Sequence, residues 1–280
     1  MGFNGSLLRF AGIASFSLLI AACSSNDARG PDLPEHAYYE KAQQAFSEDL
    51  PETAAKNLQD LDARYPFGEF STRAELDLIY AQYQSGDFIS AHAIAERFIK
   101  NHPDHDAIDY AYYMRALSTY SGSESLLQRY LDTDPSKTDA RELQKAFREM
   151  GNFLHRYPSS QYAPDAKARM IFLRNTIARH ELQVARYYLK RQAPLSALRR
   201  GQAVITHYPT STSVEEALAI TIQSYNDLNL TKLALTNLSV LKNSYPNSPY
   251  VNEEGDFIPI QLPSDADPGF WYWVSFGIIN

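Results

Sequence analysis

Cysteine is almost missing from this chain: one, Cys23, in 280 residues. No intrachain disulfide can form, and no thiolate cage for zinc can be assembled. Glycine is sparse, twelve in all and scattered, without the clustering that makes a phosphate loop, a dinucleotide fingerprint or a nucleophile elbow. Positive charge is the minority sign: 26 Lys and Arg against 33 Asp and Glu give a net −7. No basic patch stands out, which argues against a nucleic-acid footprint. Long apolar runs are absent too, since Phe10 to Ala22 falls short of the roughly 20 residues a spanning helix needs. Two constellations start like metal sites and stop. His102 and His105 lie beside Asp104 and Asp106, but Pro103 ends the helix there and no zinc-type ligand set follows. Asp132, Asp134 and Ser136 open like a calcium loop, yet Lys137 stands where that loop requires glycine. No acid/base constellation accompanies these residues. The expectation is a chain that binds rather than catalyses and needs no cofactor.

What the chain has instead is one spacing, five times over. Counting back from Pro66, residues Ala54, Leu58, Leu61 and Tyr65 sit at offsets of twelve, eight, five and one. The same offsets hold Ala91, Ala95, Phe98 and His102 before Pro103, and Ala146, Met150, Phe153 and Tyr157 before Pro158. They hold Ala197, Gly201, Val204 and Tyr208 before Pro209, and Ala234, Leu238, Leu241 and Tyr245 before Pro246. Steps of four, three and four place these side chains on one helical face, and a proline cannot continue the helix it follows. The pattern resembles the second helix of a tetratricopeptide (TPR) repeat, in which alanine admits the paired helix closely. The implied fold is all-α, a TPR superhelix of five helix pairs over residues 36–246.

The first helices follow from stripes and breakers. Tyr39, Ala42 and Phe46 begin the first repeat, and Pro51 suits the first turn of its second helix. In the second repeat Thr72 and Glu75 have capping-box spacing before a stripe of Leu76, Ile79, Tyr80 and Tyr83. The third opens at Asp109 and carries an insertion at about 121–138. In the fourth no glycine or proline interrupts Asp165 to Gln192, which predicts a long first helix; Pro194 starts its partner. The fifth offers Ser213 and Glu216 as a second capping box.

The two ends read differently. Residues 1–22 resemble a secretory signal whose Ile20-Ala21-Ala22-Cys23 is similar to the lipobox of bacterial lipoproteins, so Cys23 would carry N-acyl and S-diacylglycerol groups. Several acyl chains at roughly 0.8 kcal/mol per buried methylene hold a domain on a membrane durably. Ser24 after the cysteine implies sorting to the outer membrane. Residues 23–35 read as a flexible tether. After Pro246 the chain is an acidic, proline-bearing linker ending in an aromatic tail over 247–280, with Phe270, Trp271, Tyr272 and Trp273. The tail either covers the apolar end of the last repeat or docks a partner.

Particular runs carry a narrower likeness. Arg64-Tyr65-Pro66-Phe67-Gly68 with Ser71, Asp77-Leu78-Ile79-Tyr80, Arg97-Phe98-Ile99, Asp109-Tyr110, Tyr113-Met114-Arg115, Tyr157-Pro158-Ser159-Ser160-Gln161-Tyr162 and Tyr187-Tyr188 resemble the BamD family. These are TPR lipoproteins of the outer-membrane β-barrel assembly machinery (BAM complex). The resemblance implies an outer-membrane location at the periplasmic face. It implies a scaffold that binds the last POTRA domain of BamA, contacts BamC and BamE, and receives the targeting signals of unfolded outer-membrane β-barrel proteins. By the same likeness the signal groove takes in Tyr65, Phe67, Gly68, Tyr80, Tyr83, Tyr110 and Tyr113, and BamA docks at Arg200. Each tyrosine is either contact surface or inter-repeat core, and Arg200 either a contact or a solvated charge. The alternative is a TPR lipoprotein adaptor of another envelope machine, for pilus assembly or for coupling wall synthesis to constriction.

Overall fold

Every second-helix proline does two jobs in the computed structural model, which describes residues 33–123 and 140–262. The residue before it caps the helix outside the α region, with φ near −130° and ψ of 50–75° at Tyr65, His102, Tyr208 and Tyr245, since the ring of the following proline disfavours helical backbone there. The proline then takes the second position of a β-turn, where its fixed φ is favoured. The amide three residues on closes that turn: Gly68 to Tyr65, His105 to His102, Ser160 to Tyr157, Ser211 to Tyr208 and Ser248 to Tyr245, at 3.0–3.2 Å. One short sequence therefore ends a helix and aims the chain into the next pair.

Among the described residues there are ten helices. They are α1 (Glu35–Ser47), α2 (Pro51–Arg64), α3 (Ser71–Gln84), α4 (Phe88–Asn101), α5 (Ile108–Ser123), α6 (Ala140–Arg156), α7 (Ala163–Lys190), α8 (Pro194–His207), α9 (Val214–Asp227) and α10 (Thr231–Ser244). Each packs on its neighbours in sequence, and the first helices of adjacent pairs also meet, α3 with α5 and α7 with α9. Turns inside the pairs repeat as well. Asp49, Gly86, Gln192 and Asn229 all have positive φ, and the amide after each reaches back five residues, as from Leu50 to Ala45 and Leu230 to Tyr225. This is the left-handed stop of a Schellman-type cap.

The five alanines lie on the buried faces of the second helices. Ala54, Ala91, Ala146 and Ala197 are fully buried and Ala234 nearly so, with Leu58, Leu61, Phe98, Met150, Phe153 and Val204 beside them. At Gly201 even a methyl group would sit 3.1 Å from the Ala217 carbonyl oxygen of α9, so glycine permits that crossing. The uninterrupted fourth stripe forms a single helix of 28 residues. Its first half joins the core of α3–α6 through Leu173 and Ile177. Its second half joins the core of α8–α10 through Leu182 and Ala185.

Three sequence expectations are corrected. Neither capping box forms. Glu75 is buried and turned into the stack, where Arg97 Nε donates to it at 2.7 Å and His102 Nε2 lies at 3.3 Å. The start of α3 is held instead by Glu35 of α1, which accepts from the backbone of Phe70 at 2.7 Å and Glu69 at 3.1 Å. Ser213 makes no side-chain cap bond, and Glu216 pairs with Arg186 of α7. In both cases a guanidinium from another helix, of the same pair for Glu75 and of the preceding pair for Glu216, outcompetes the local amide. The α3 stripe is also displaced: Ala74, Leu78, Ile79 and Ala81 form its buried face, and Tyr80 is exposed. Past Pro246 the linker is not featureless, because Val251 pairs with Phe257 in a single antiparallel bridge and both pack on the last repeat. Cys23, the segment about 124–138 and the aromatic tail lie outside the described residues.

A buried polar junction ties α4, α5 and α6. Glu149 accepts from Thr119 Oγ1 at 2.6 Å and lies 3.1 Å from His92 Nε2. Burial alone would raise its carboxyl, but these bonds outweigh it and hold the group below its ordinary value of 4.5. A depressed carboxylate contributes stability above the unfolded value and loses it as pH falls through the folded one. Glu149→Gln is expected to cost about 1–3 kcal/mol at pH 7. That deficit should shrink below pH ~4.5, as measured by urea unfolding at several pH values.

Candidate functional site

The residues singled out from the sequence fall into three groups in space. Tyr65, Phe67 and Gly68 form the loop between α2 and α3. There Tyr65 donates its hydroxyl to the Leu33 carbonyl at 2.9 Å, pinning the chain that enters from the N-terminus. A Cβ at Gly68 would fall on the Glu35 carboxylate and displace it from the amides it caps. Phe67 sits at the turn and is 98% exposed. A fully solvated phenylalanine on a loop this tightly held gains nothing for the fold.

The second group is continuous. Tyr80 leans on Phe46, with ring centroids 5.8 Å apart, and stays 43% exposed. On the same face of α3, Asp77 accepts from Tyr39 and from Gln43, both at 2.8 Å. Burial first, and then the bond to Asp77, push the Tyr39 phenol up to about 12. Tyr110 on α5 feels both Asp77 and Tyr80, and its phenol is raised mainly by burial. Its ring meets Tyr162 at 5.6 Å, and Tyr162 stacks flat on Tyr113 at 4.8 Å. Tyr113 itself is only 8% exposed and donates to Asp165 Oδ2 at 2.7 Å. Burial would raise the Asp165 carboxyl, but Arg169 and Tyr113 bind it and hold it below the usual range. Arg169 lies over the Tyr120 ring at 4.9 Å. Tyr120 then shares a shallow depression with Tyr83, Phe88 and Arg169, and the Tyr83 hydroxyl bonds Ser121 at 3.0 Å.

An aromatic seam thus runs over α1, α3, α5 and the start of α7. Phenol edges, the carboxylates of Asp77 and Asp165 and the Arg169 guanidinium punctuate it, which suits an extended or amphipathic peptide rich in aromatic side chains. Tyr113 belongs to the inter-repeat packing rather than to the surface. Sequence reasoning missed Tyr39, Asp77, Asp165 and Arg169 as parts of the seam. Tyr162 was signalled, since it closes the Tyr-Pro-Ser-Ser-Gln-Tyr motif.

Arg200 stands apart, on α8. Its guanidinium donates to Glu181 of α7 at 2.9 Å and remains 43% exposed. It edges a depression with Phe147, Arg148, His207 and Tyr208. The Glu181 bond raises its pKa against a smaller opposing effect of burial. Among the described residues no group of three His, Cys, Asp or Glu could hold a metal ion, and no helix is long and apolar enough to cross a membrane. His102 and His105 pack against Phe98, at 4.8 and 5.3 Å.

With the seam and Arg200 located, comparison with known proteins gives a single direction. A family model described as YfiO, outer membrane lipoprotein, matches residues 31–237. Outer membrane protein assembly factor BamD of Vibrio cholerae serotype O1 is 36% identical over 221 residues, covering 79% of this chain and 91% of the relative. The protein of that name from Neisseria meningitidis serogroup B is 32% identical over 265 residues, covering 92% and 97%. That of Xylella fastidiosa is 33% identical over 241 residues, covering 85% and 82%.

The seam separates into a structural and a surface part, and stability measurements distinguish them. Tyr113→Phe deletes a hydroxyl given to a buried carboxylate and is expected to cost about 1.5–3 kcal/mol. Phe67→Ser should stay within about 0.5 kcal/mol of the parent. Urea midpoints for the two variants check both values.

Proposed function

The chain belongs to the YfiO family of outer-membrane lipoproteins, to which its BamD relatives belong, and from that premise we propose that it serves outer-membrane protein assembly as a non-catalytic scaffold. It is a subunit of the β-barrel assembly machinery, anchored at the periplasmic face of the outer membrane by lipid on Cys23. Its aromatic seam receives the signal segments of unfolded outer-membrane β-barrel proteins. Its C-terminal repeats hold the last POTRA domain of BamA, with Arg200 at that contact, and BamC and BamE bind elsewhere on the array.

One observation carries the substrate half of this reading: aromatic rings follow one another over α1, α3, α5 and the start of α7, and the loop between α2 and α3 separately displays the fully solvated Phe67. A helical stack needs no exposed phenylalanine at a loop pinned on both sides, whereas a peptide site gains from one. For the BamA half, the support is an arginine that keeps nearly half its surface open while its charge is already oriented by Glu181. A pre-oriented guanidinium loses little freedom when it meets a carboxylate.

Two measurements test the halves separately. Affinity capture from detergent-solubilised membranes should retrieve BamA, and Arg200→Gln should weaken that association. Truncating a desolvated charge partner costs roughly 2–5 kcal/mol, and the lower figure is about 30-fold in affinity. Capture of a pilus or wall-synthesis partner in place of BamA would overturn the assignment. For the seam, a fluorescent peptide ending in aromatic residues should bind the parent, and Phe67→Ala or Tyr80→Ala should weaken it about 30-fold, the scale of a hot-spot loss near 2 kcal/mol. Unchanged binding in both variants would remove the seam from substrate recognition.

A further inference from the structure

The last repeat is built to receive a neighbour that the helices do not supply. In each second helix, offset eleven before the proline faces the following pair. Ala55 and Leu198 there are buried, Phe147 is partly buried against the core, and His92 reaches across to Glu149. The equivalent residue of α10 is Leu235, and it is 60% exposed. At offset eight, Leu58, Ala95, Met150 and Gly201 are buried, while Leu238 of α10 is only partly covered.

The chain after α10 begins as though a sixth pair were coming. Ser248 closes the turn on Tyr245 and the Val251 amide bonds the Ser248 carbonyl at 3.2 Å, as Ser211 does on Tyr208 before α9. No helix follows, because Pro249, Gly255 and Pro259 break it. Instead the chain folds back through the Val251–Phe257 bridge. Tyr250, Val251, Phe257 and Ile260 join the core of the last repeat alongside Leu238, and Lys242 of α10 donates to the Gly255 carbonyl at 3.1 Å. This turn caps the far half of the stacking face, and Leu235 is left open.

We propose that the C-terminal aromatic run, Phe270 to Ile279, completes this cap by docking on α10 over Leu235 and Leu238. Three observations select this occupant. The uncovered position is one that earlier repeats cover. The adjoining segment of the same chain already occupies the neighbouring part of that face. The reach is sufficient: Phe270 lies eight Cα–Cα steps beyond Leu262, about 26 Å of extended chain, against a length of about 21 Å for the 14 residues of α10. The run Phe-Trp-Tyr-Trp-Val-Ser-Phe-Gly-Ile-Ile carries no charge, as a segment covering leucines requires. A solenoid otherwise solves this problem with a polar capping helix.

The test uses the fact that both tryptophans of the chain, Trp271 and Trp273, lie in this run, so intrinsic tryptophan emission reports on it alone. In the mature lipidated protein in nanodiscs, emission is expected to be blue-shifted from that of the urea-unfolded chain. Leu235→Asp should shift it red with helix content by circular dichroism retained. Leu233→Asp, also exposed on α10 but off the stacking face, should leave it unchanged. Parent emission equal to that of the unfolded chain overturns the proposal. So does a blue emission that Leu235→Asp does not move, including one quenched by brominated lipid, which would make the membrane the occupant. A stability comparison gives a second reading. Leu235→Asp should lower the urea midpoint of the full chain and have no such effect after truncation at Leu262; equal effects in both would also overturn it.

Discussion

The close crossing of helices at a small residue is the constraint on which this molecule depends. A pair of 14-residue helices is too thin to bury its own apolar face, so each must be pressed against the pair before and the pair after. Alanine at offset twelve, and glycine at Gly201, set how near that contact comes; a larger side chain would hold the helices apart and forfeit dispersion along the whole interface. Phe98 and Phe153 then fill the space behind the crossing, fully buried. The stack is held by close approach at one position and by bulk five residues before the proline.

Polar groups finish what the small residues begin. Tyr39 with Asp77, Glu75 with Arg97, Glu149 with Thr119 and His92, Tyr113 with Asp165 and Arg186 with Glu216 each join two or more helices. Buried charges of this sort contribute modestly to net stability but penalise any slipped arrangement that leaves one unpaired. They also position the aromatic seam. The Asp165 carboxylate that fixes Tyr113 organises Arg169 as well, and Arg169 carries the seam on to Tyr120. The proposed recognition surface and the inter-repeat contacts therefore share atoms.

The two ends of the array meet the problem of an unpaired face in different ways. At the N-terminal end Glu35 and Tyr65 lock the entry of the chain against the first inter-repeat loop, which leaves Phe67 displayed on a fixed support. At the C-terminal end a proline-rich turn replaces a sixth helix and covers part of α10. The first arrangement presents a side chain to solvent, and the second hides one from it.

The sequence by itself determined the helix count, the phase of the buried face and the boundaries of most helices, because a period of 3.6 with proline and left-handed turn residues is a local property of the chain. It also marked Phe67, Gly68 and Tyr162 through short motifs, and the BamD likeness through their order. The tertiary structure alone decided which tyrosines are packing and which are surface: Tyr80 and Tyr113 look equivalent along their helices, yet one is 43% exposed and the other is closed off by Tyr162, just before α7, and Asp165 within it. It likewise decided the fate of Glu75 and Glu216, whose spacing suits a cap. A capping amide is worth about a kilocalorie per mole, and a guanidinium brought from another helix competes for the same carboxylate through a stronger charge-assisted bond. That rival is visible only once residues far apart in the chain have been brought side by side.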